Sequence, residues 1–181
     1  MTIVVAISDG KTVMMGADAA AVGESDMLVR TDPKIYRVGD FLIGFSQSFR
    51  AGQLVGNKFV PPPPNPKHTD YKYMCTRFVD ELAALFRAND VAQGEDGEGF
   101  DGELLVGYNG KIYYIGSDLH VGTSFFDFNA IGSGSQTALG SLYSTRGTKA
   151  ANRIYKALKA AEEFNPGIRG PFLVETIGVA E

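Results

Sequence analysis

Residues 2–18 read TIVVAISDGKTVMMGAD. Two short runs of β-forming residues, 2–8 and 12–17, flank Asp9-Gly10, a dipeptide that strongly favours the turn of a β-hairpin. Both runs are apolar at nearly every position, whereas a strand with one face in water alternates between apolar and polar residues. The stretch therefore predicts a hairpin that other layers of the fold cover on both faces.

Two further hairpins are predicted along the chain, at 34–46 around Gly39-Asp40 and at 104–115 around Asn109-Gly110. Single strands are predicted at 128–131 and 172–177. Helices are predicted at 48–55, at 70–86 with Asp70 as N-cap, after 132–135 and at 149–164. The segment from Gln93 to Glu103 mixes glycines with acidic residues and predicts an exposed, mobile loop.

This order of strands, helices, strands, helices and a last strand indicates the fold class. Two antiparallel sheets packed face to face, each covered by a helix pair, would bury all of the apolar faces. We therefore predict an α+β protein with a four-layer αββα sandwich. The length of 181 residues suits a single domain over residues 1–181.

Composition argues against several functional classes. The formal net charge of -4 gives no basic surface for nucleic acid or an anionic membrane, and no apolar run is long enough to span a bilayer. The start of the sequence lacks the basic region of a signal peptide. Cys75 is the single cysteine, so no intrachain disulfide can form and a cytoplasmic location is expected. His68 and His120 have no second ligand at useful spacing, so neither metal nor cofactor is expected.

The residue after Met1 offers a route to nucleophilic catalysis. A threonine hydroxyl needs a base to take its proton, and the free α-amine of a first-residue threonine can serve. That amine has a pKa of about 7.7–8, near working pH, whereas retained Met1 would turn it into an amide. A cation to favour the alkoxide, a carboxylate to hold it and an oxyanion donor are also required. Thr2, Asp18, Lys34 and the Gln47-Ser48 turn supply candidates in that order.

Several motifs together resemble the proteasome β-subunits and HslV peptidases, which are N-terminal-nucleophile (Ntn) hydrolases. The motifs are Thr2-Ile-Val, Gly16-Ala17-Asp18, Thr31-Asp32-Pro33-Lys34-Ile35-Tyr36, Gly44-Phe45-Ser46 and Gly132-Ser133-Gly134-Ser135. In that family the nucleophilic threonine, an aspartate and a lysine follow one another at intervals of sixteen residues. Asp18 lies 16 residues after Thr2, and Lys34 lies 16 residues after Asp18. The resemblance implies the Ntn-hydrolase fold.

The resemblance also implies roles for individual residues. Thr2 would be the nucleophile and its α-amine the base, Lys34 would lower the pKa of the hydroxyl, and Asp18 would orient Lys34. Ser133 would form a hydrogen bond near the free amine.

Substrate-binding positions follow from the same alignment. Ser48, preceded by Gln47, would provide the oxyanion N–H. Ala21, Asp32 and Arg50 would lie near the first specificity pocket, where Asp32 and Arg50 either make the pocket polar or pair with each other.

Two departures from the family pattern concern the surroundings of the nucleophile. The family usually has glycine at the oxyanion position, where this chain has Ser48. The family's late aspartate and serine have no clean match, because Glu163-Phe164-Asn165-Pro166-Gly167 occupies that region. The hydrogen-bonding groups near the amine are therefore predicted to be incomplete or differently built.

The sequence thus predicts a threonine endopeptidase that cleaves peptide bonds through an acyl-enzyme on Thr2 after removal of Met1. The resemblance implies a homo-oligomeric ring that acts on polypeptide substrates, with a possible ATP-dependent unfoldase as partner. Two alternatives stay open. One is a catalytically silent structural or assembly subunit, and the other is an Ntn amidohydrolase that acts on a small amide.

Overall fold

The computed structural model describes residues 1–23, 26–93 and 99–179. Its strands are β1 (Val4–Ser8), β2 (Thr12–Ala17), β3 (Ala20–Val22), β4 (Met27–Val29), β5 (Ile35–Val38), β6 (Phe41–Gln47), β7 (Ala92–Gln93), β8 (Gly99–Phe100), β9 (Gly102–Tyr108), β10 (Lys111–Ile115), β11 (Val121–Thr123), β12 (Phe128–Ile131) and β13 (Leu173–Gly178). Its helices are α1 (Phe49–Lys58), α2 (Asp70–Tyr73), α3 (Val79–Arg87), α4 (Ser135–Ser144) and α5 (Ala150–Phe164), and a π-helical turn (Met74–Phe78) joins α2 to α3.

The strands form two main antiparallel sheets, which confirms the predicted architecture. One sheet has four strands in the order β12-β1-β2-β13, and the other has five in the order β11-β10-β9-β6-β5. The three predicted hairpins are the pairs β1–β2, β5–β6 and β9–β10. Short ribbons of β3 with β4 and of β7 with β8 complete the strand pairing of the described residues.

The strand β1 shows why the hairpin is apolar on both faces. Val4 and Ala6 belong to the core between the two sheets, together with Leu42 of β6 and Leu105 of β9. The alternate positions of β1 instead face α4 and α5, where they join the second core with residues such as Leu158. Because burial of a large aliphatic side chain stabilises a fold by about 1.5–3 kcal/mol, both faces hold the layers together.

The helix α1 and the helical segment 70–87 cover the five-stranded sheet. Along residues 70–87 an apolar residue recurs every fourth position, and all four of these side chains are buried: Met74, Phe78, Leu82 and Phe86. They pack with side chains of α1 and β6 in a third core. In the part of the chain that the structure describes, no helix combines the length and apolar character needed to cross a membrane.

The predicted N-cap of the 70–86 helix was wrong by one residue. Thr69 is the N-cap, because its Oγ1 accepts a hydrogen bond of 3.2 Å from the Lys72 N–H, whereas Asp70 is already helical. Thr and Asp are both good cap residues, so their order along the chain could not be settled from propensity.

The predicted exposed loop at 93–103 was wrong at its C-terminal end. Phe100 is buried against Phe86 at a ring-centroid distance of 4.9 Å, and β9 begins at Gly102. Gly102 has φ +151, and a Cβ atom there would lie 2.6 Å from the Ser46 carbonyl oxygen. The glycines that suggested a loop therefore include one that the close approach of two strands requires. Residues 94–98 of this predicted loop lie outside the described residues.

Candidate active site

The core between the two sheets becomes polar at one end. Thr2 continues the inward face of β1, Ser46 that of β6, Glu103 that of β9 and Tyr114 that of β10. This follows from the two-residue period of strands, since these positions are two or four residues from buried inward-facing residues. The polar end therefore gathers side chains from both sheets.

The structure brings Thr2, Asp18 and Lys34 together at this end. Lys34 Nζ donates hydrogen bonds to Asp18 Oδ1 at 2.8 Å and to Thr2 Oγ1 at 3.3 Å. The three residues are only 2–3% exposed to solvent. An ammonium group thus lies between a carboxylate and a threonine hydroxyl, which is the arrangement that the resemblance implies.

Backbone contacts explain why Asp18 is fixed. Its N–H donates to the Ile3 carbonyl at 3.3 Å, and its Oδ1 accepts from the Ile3 N–H at 3.0 Å, which extends the β1–β2 pairing next to Thr2. Its Oδ2 accepts from the backbone N–H groups of Ala20 at 3.0 Å and Arg169 at 3.5 Å. The carboxylate is therefore held by the backbone as well as by Lys34.

Lys34 lies immediately before β5, and its carbonyl oxygen accepts from the Phe45 N–H at 3.1 Å. Burial lowers the pKa of the Lys34 ammonium below its ordinary value, and the Asp18 carboxylate opposes this shift. A cation in contact with Thr2 Oγ1 favours the ionised form of that hydroxyl.

The turn before α4 packs against the backbone of Thr2. The Thr2 N–H donates to Ser133 Oγ at 3.3 Å, and Ser133 Oγ in turn lies 3.4 Å from the Thr2 carbonyl oxygen, to which it donates. Gly132 has φ +91, and a Cβ atom there would lie 2.3 Å from the same carbonyl oxygen. Ser133 therefore lies at the nitrogen of Thr2, where the resemblance implied it.

Substitution of Gly132 with alanine should displace Thr2. The added methyl group both disfavours the positive φ and overlaps the Thr2 carbonyl, so we expect at least a tenfold loss of any Thr2-dependent turnover. Gly140→Ala is the matched control, because a Cβ atom at Gly140 of α4 meets no atom within 4 Å. Equal steady-state rates for the two variants would contradict the expectation.

The structure distinguishes the two residues of the predicted oxyanion turn. The Ser48 N–H donates to the Asp101 carbonyl at 3.2 Å, and Ser48 Oγ caps α1 by accepting from the Ala51 N–H at 3.2 Å. Ser48 was therefore the wrong choice of free N–H donor in this structure. Successive N–H groups of a strand point to opposite sides of it. Because the Phe45 N–H points towards Lys34, the Gln47 N–H is expected on the Lys34 side of β6, opposite to the Ser48 N–H.

A cleft of about 540 Å³ opens over Thr2. Its walls are formed by Met1, Thr2, Gln47, Gly102, Glu103, Tyr114, Ser117, Gly132, Ser133 and Ser135. Gln47, which has φ 64, thus lines the cleft together with the threonine.

Glu103 is a wall residue that the sequence analysis did not find. Its carboxylate accepts hydrogen bonds from Tyr114 OH at 3.0 Å, Ser46 Oγ at 3.2 Å and the Gly132 N–H at 3.2 Å. Side chains of a strand alternate between its two faces, and Glu103 is two residues before the inward-facing Leu105. This alternation could have indicated that Glu103 also points inward.

The residues predicted for the specificity pocket are arranged differently from the expectation. Asp32 pairs with Arg30 at 2.6 Å and not with Arg50, so the suggested Asp32–Arg50 pair was wrong. Arg50 is exposed in α1, and Ala21 pairs with Leu28 between β3 and β4.

The Arg30 guanidinium also packs over an aromatic ring that lies next to the site. It is 4.7 Å from the ring centroid of Phe49, the first residue of α1, and Lys34 Nζ is 5.7 Å from the same centroid. Asp32 lines a second cavity of about 560 Å³ with Arg30 and Lys34, and neither Ala21 nor Arg50 is among the described residues that line it.

No protein-family model and no curated protein matches this chain. Solved structures do resemble it. Thiobacillus denitrificans BPH in complex with epoxomicin is 19% identical, with a TM-score of 0.80 over 99% of this chain and 100% of that chain. BPH of the same organism is 20% identical, with a TM-score of 0.79 over 99% of both chains.

A eukaryotic HslV from Trypanosoma brucei is 19% identical, with a TM-score of 0.70 over 97% of this chain and 99% of that chain. At such identities the likeness concerns the fold alone. The chain therefore has the αββα sandwich of the Ntn-hydrolase fold, in common with these bacterial and trypanosomal proteins.

Proposed function

We propose that the protein is a threonine endopeptidase of the proteasome and HslV kind, which cleaves polypeptides through an acyl-enzyme on Thr2 after Met1 has been removed. The observation that carries the proposal is the buried Lys34 ammonium, which contacts both Thr2 Oγ1 and Asp18 Oδ1. Burial of a cation costs desolvation free energy, so a buried ammonium group needs a favourable partner. Here it contacts a hydroxyl that could become an anion, and it would stabilise that anion.

In the proposed reaction the free α-amine of Thr2 takes the hydroxyl proton, directly or through one water. Oγ1 then attacks the substrate carbonyl, and the oxyanion accepts a hydrogen bond from the Gln47 N–H at the edge of the cleft. The protonated amine gives its proton to the leaving amine of the cleaved peptide bond. Water then hydrolyses the ester that remains on Thr2, by the same base.

The other residues prepare this reaction. Lys34 lowers the pKa of the hydroxyl, and Asp18 keeps the ammonium in place through its contact at 2.8 Å. Ser133, whose Oγ is 3.3 Å from Thr2 N, fixes the nitrogen that becomes the base. Asp32 and Arg30 would meet the substrate at the second cavity, as a neutralised pair.

This scheme predicts a bell-shaped dependence of turnover on pH. Activity should rise as the α-amine loses its proton, around its ordinary pKa of about 7.7–8. It should fall again as the Lys34 ammonium loses its proton, below the usual pKa of a lysine because burial disfavours the charged form. The measurement is kcat/KM for a peptide between pH 5 and 11, roughly the range that spans both groups. An activity that stays level on the alkaline side up to unfolding would contradict the role of Lys34.

The test of the proposal uses protein whose first residue is Thr2, prepared by cleavage of an N-terminal fusion, with Thr2→Ala as the control. Epoxomicin accompanies BPH in one of the compared structures, and we expect it to bind the Thr2 form and to block its hydrolysis of fluorescent casein. If the Thr2 form hydrolyses only a small amide, an Ntn amidohydrolase is the better assignment. If it is folded, hydrolyses nothing and does not bind epoxomicin, a silent structural subunit is the better one.

We also propose that the chain forms a homo-oligomeric ring in the cytoplasm, with an ATP-dependent unfoldase as partner. Exposed aromatic side chains support association, since Phe125 is 96% exposed and lies beside Phe126. The free thiol of Cys75 agrees with a reducing compartment. A monomeric mass by light scattering at high protein concentration would contradict the ring.

A further inference from the structure

Glu103 supplies a carboxylate to the wall of the cleft, and three donors hold it in one position. Tyr114 OH contacts Oε1, while Ser46 Oγ and the Gly132 N–H contact Oε2. The Gly132 N–H can only donate, so Oε2 is the acceptor in that contact. The three contacts together fix the carboxyl group at the polar end of the core.

The contact with Gly132 connects this carboxylate to the nucleophile. Gly132 approaches the Thr2 carbonyl so closely that no side chain fits between them, and Ser133 contacts the Thr2 nitrogen. The turn has no regular strand partner of its own at this point, since β12 ends at Ile131 and α4 starts at Ser135. The bond from its N–H to Glu103 thus fixes the turn to β9 of the opposite sheet.

The charged groups around Thr2 and the Gly132–Ser133 turn come from several elements. Lys34 before β5 is the cation, and Asp18 after β2 is the carboxylate that pairs with it. Glu103 of β9 is the second carboxylate, and Tyr114 of β10 stays neutral because burial raises its pKa to about 12. The segment after α5 contributes the Arg169 backbone N–H to Asp18, while the Arg169 side chain is exposed.

We propose that Glu103 is a positioning residue of the site. Its carboxylate holds the Gly132–Ser133 turn against Thr2 and supplies a negative charge that favours retention of the α-amine at its ordinary basicity beside the Lys34 cation. The inference deepens the proposed function and rests on it, because a catalytic α-amine exists only after removal of Met1.

Two substitutions separate positioning from charge. Glu103→Gln removes the charge and replaces one carboxylate oxygen with an NH2 group, which cannot accept a hydrogen bond from Tyr114, Ser46 or Gly132. Both the positioning effect and the charge effect should therefore be lost. Glu103→Asp keeps the charge but shortens the side chain, so mainly the contact with Gly132 should be lost. Glu81→Gln is the matched control, because Glu81 is an exposed carboxylate on α3.

The experiment uses the full chain with Thr2 as first residue and measures three quantities. These are kcat and KM for a fluorogenic peptide, the pKa of the α-amine from the pH dependence of its labelling by an amine-selective reagent, and the midpoint of thermal unfolding. For Glu103→Gln we expect kcat to fall about tenfold with KM within about twofold, and the amine pKa to fall by about 0.5 to 1. For Glu103→Asp we expect a similar loss of kcat with the amine pKa unchanged.

The inference is overturned if a folded Glu103→Gln variant keeps kcat within about twofold of the control, or if its amine pKa equals that of the wild type. Should Glu103→Gln fail to fold, full kcat in Glu103→Asp overturns the positioning role. An inactive wild type instead refutes the proposed function, and the amine titration, which needs no turnover, then decides whether Glu103 acts on the Thr2 nitrogen.

Discussion

Protein that retains Met1 is expected to hydrolyse peptides about 10³-fold more slowly than the same chain beginning at Thr2. With Met1 present, the Thr2 nitrogen is an amide whose N–H donates to Ser133 Oγ, and the Thr2 hydroxyl donates to the Met1 carbonyl at 2.7 Å. The nearest free amine is then about 3.8 Å further along the backbone. The base is missing, and the nucleophile is engaged by the residue that blocks it.

The comparison needs two preparations that differ in one residue. Cleavage of a fusion can leave either Thr2 or Met1 as the first residue, and intact mass before and after the assay identifies the form that was measured. Met1 is half exposed, so an aminopeptidase added to the Met1 form should restore activity. Full activity of a chain whose mass still includes Met1 would refute the α-amine as the base.

Lys34→Met is expected to lower kcat about 10³-fold while the protein remains folded. Methionine keeps the unbranched stem but removes the cation that contacts Thr2 Oγ1. The cost in stability should be about 3 kcal/mol, because Asp18 loses its ion-pair partner inside the protein. Asp18 keeps its backbone N–H donors, so this loss stays below the 5–15 kcal/mol that is the usual free energy of unfolding.

The matched control is Lys111→Met, which breaks a Lys–Asp pair on the surface. Lys111 Nζ contacts Asp70 at 2.9 Å, but the lysine side chain is 60% exposed, so its substitution should change stability by less than about 1 kcal/mol and leave kcat unchanged. Circular dichroism and urea unfolding measure the first quantity and steady-state kinetics the second. Unchanged kcat in a folded Lys34→Met variant would remove the basis of the proposed function.

The fold was predictable because its signals are local. Hairpin dipeptides such as Asp9-Gly10 determine which strands pair, and the two-sided apolar character of β1 indicates a layer on each face. The strands β3, β4 and β11 were missed because three-residue strands give too short a pattern. The start of β9 was missed because glycine in a strand and glycine in a loop look alike in sequence.

The site was predictable where strand register or the family resemblance fixes position. Asp18 lies next to Thr2 because β1 pairs with β2, whereas Lys34 precedes β5 of the opposite sheet and was found through the resemblance. The choice between Gln47 and Ser48 depends on which way one peptide N–H points, and composition carries no such information. Glu103 belongs to a strand of the opposite sheet, so its contact with the Gly132 turn depends on how the sheets pack.

The different exposure of the two ion pairs near the cleft has a consequence for ionic strength. The Lys34 and Asp18 side chains are 2% and 0% exposed, whereas those of Arg30 and Asp32 are 36% and 34% exposed. Dissolved salt screens charges over about 8 Å at physiological concentration, but it does so only where water and ions can enter. Between low and high salt we therefore expect KM for charged peptides to change while kcat stays constant. Electrolyte would then alter the capture of substrate at the second cavity beside Lys34 without altering bond cleavage.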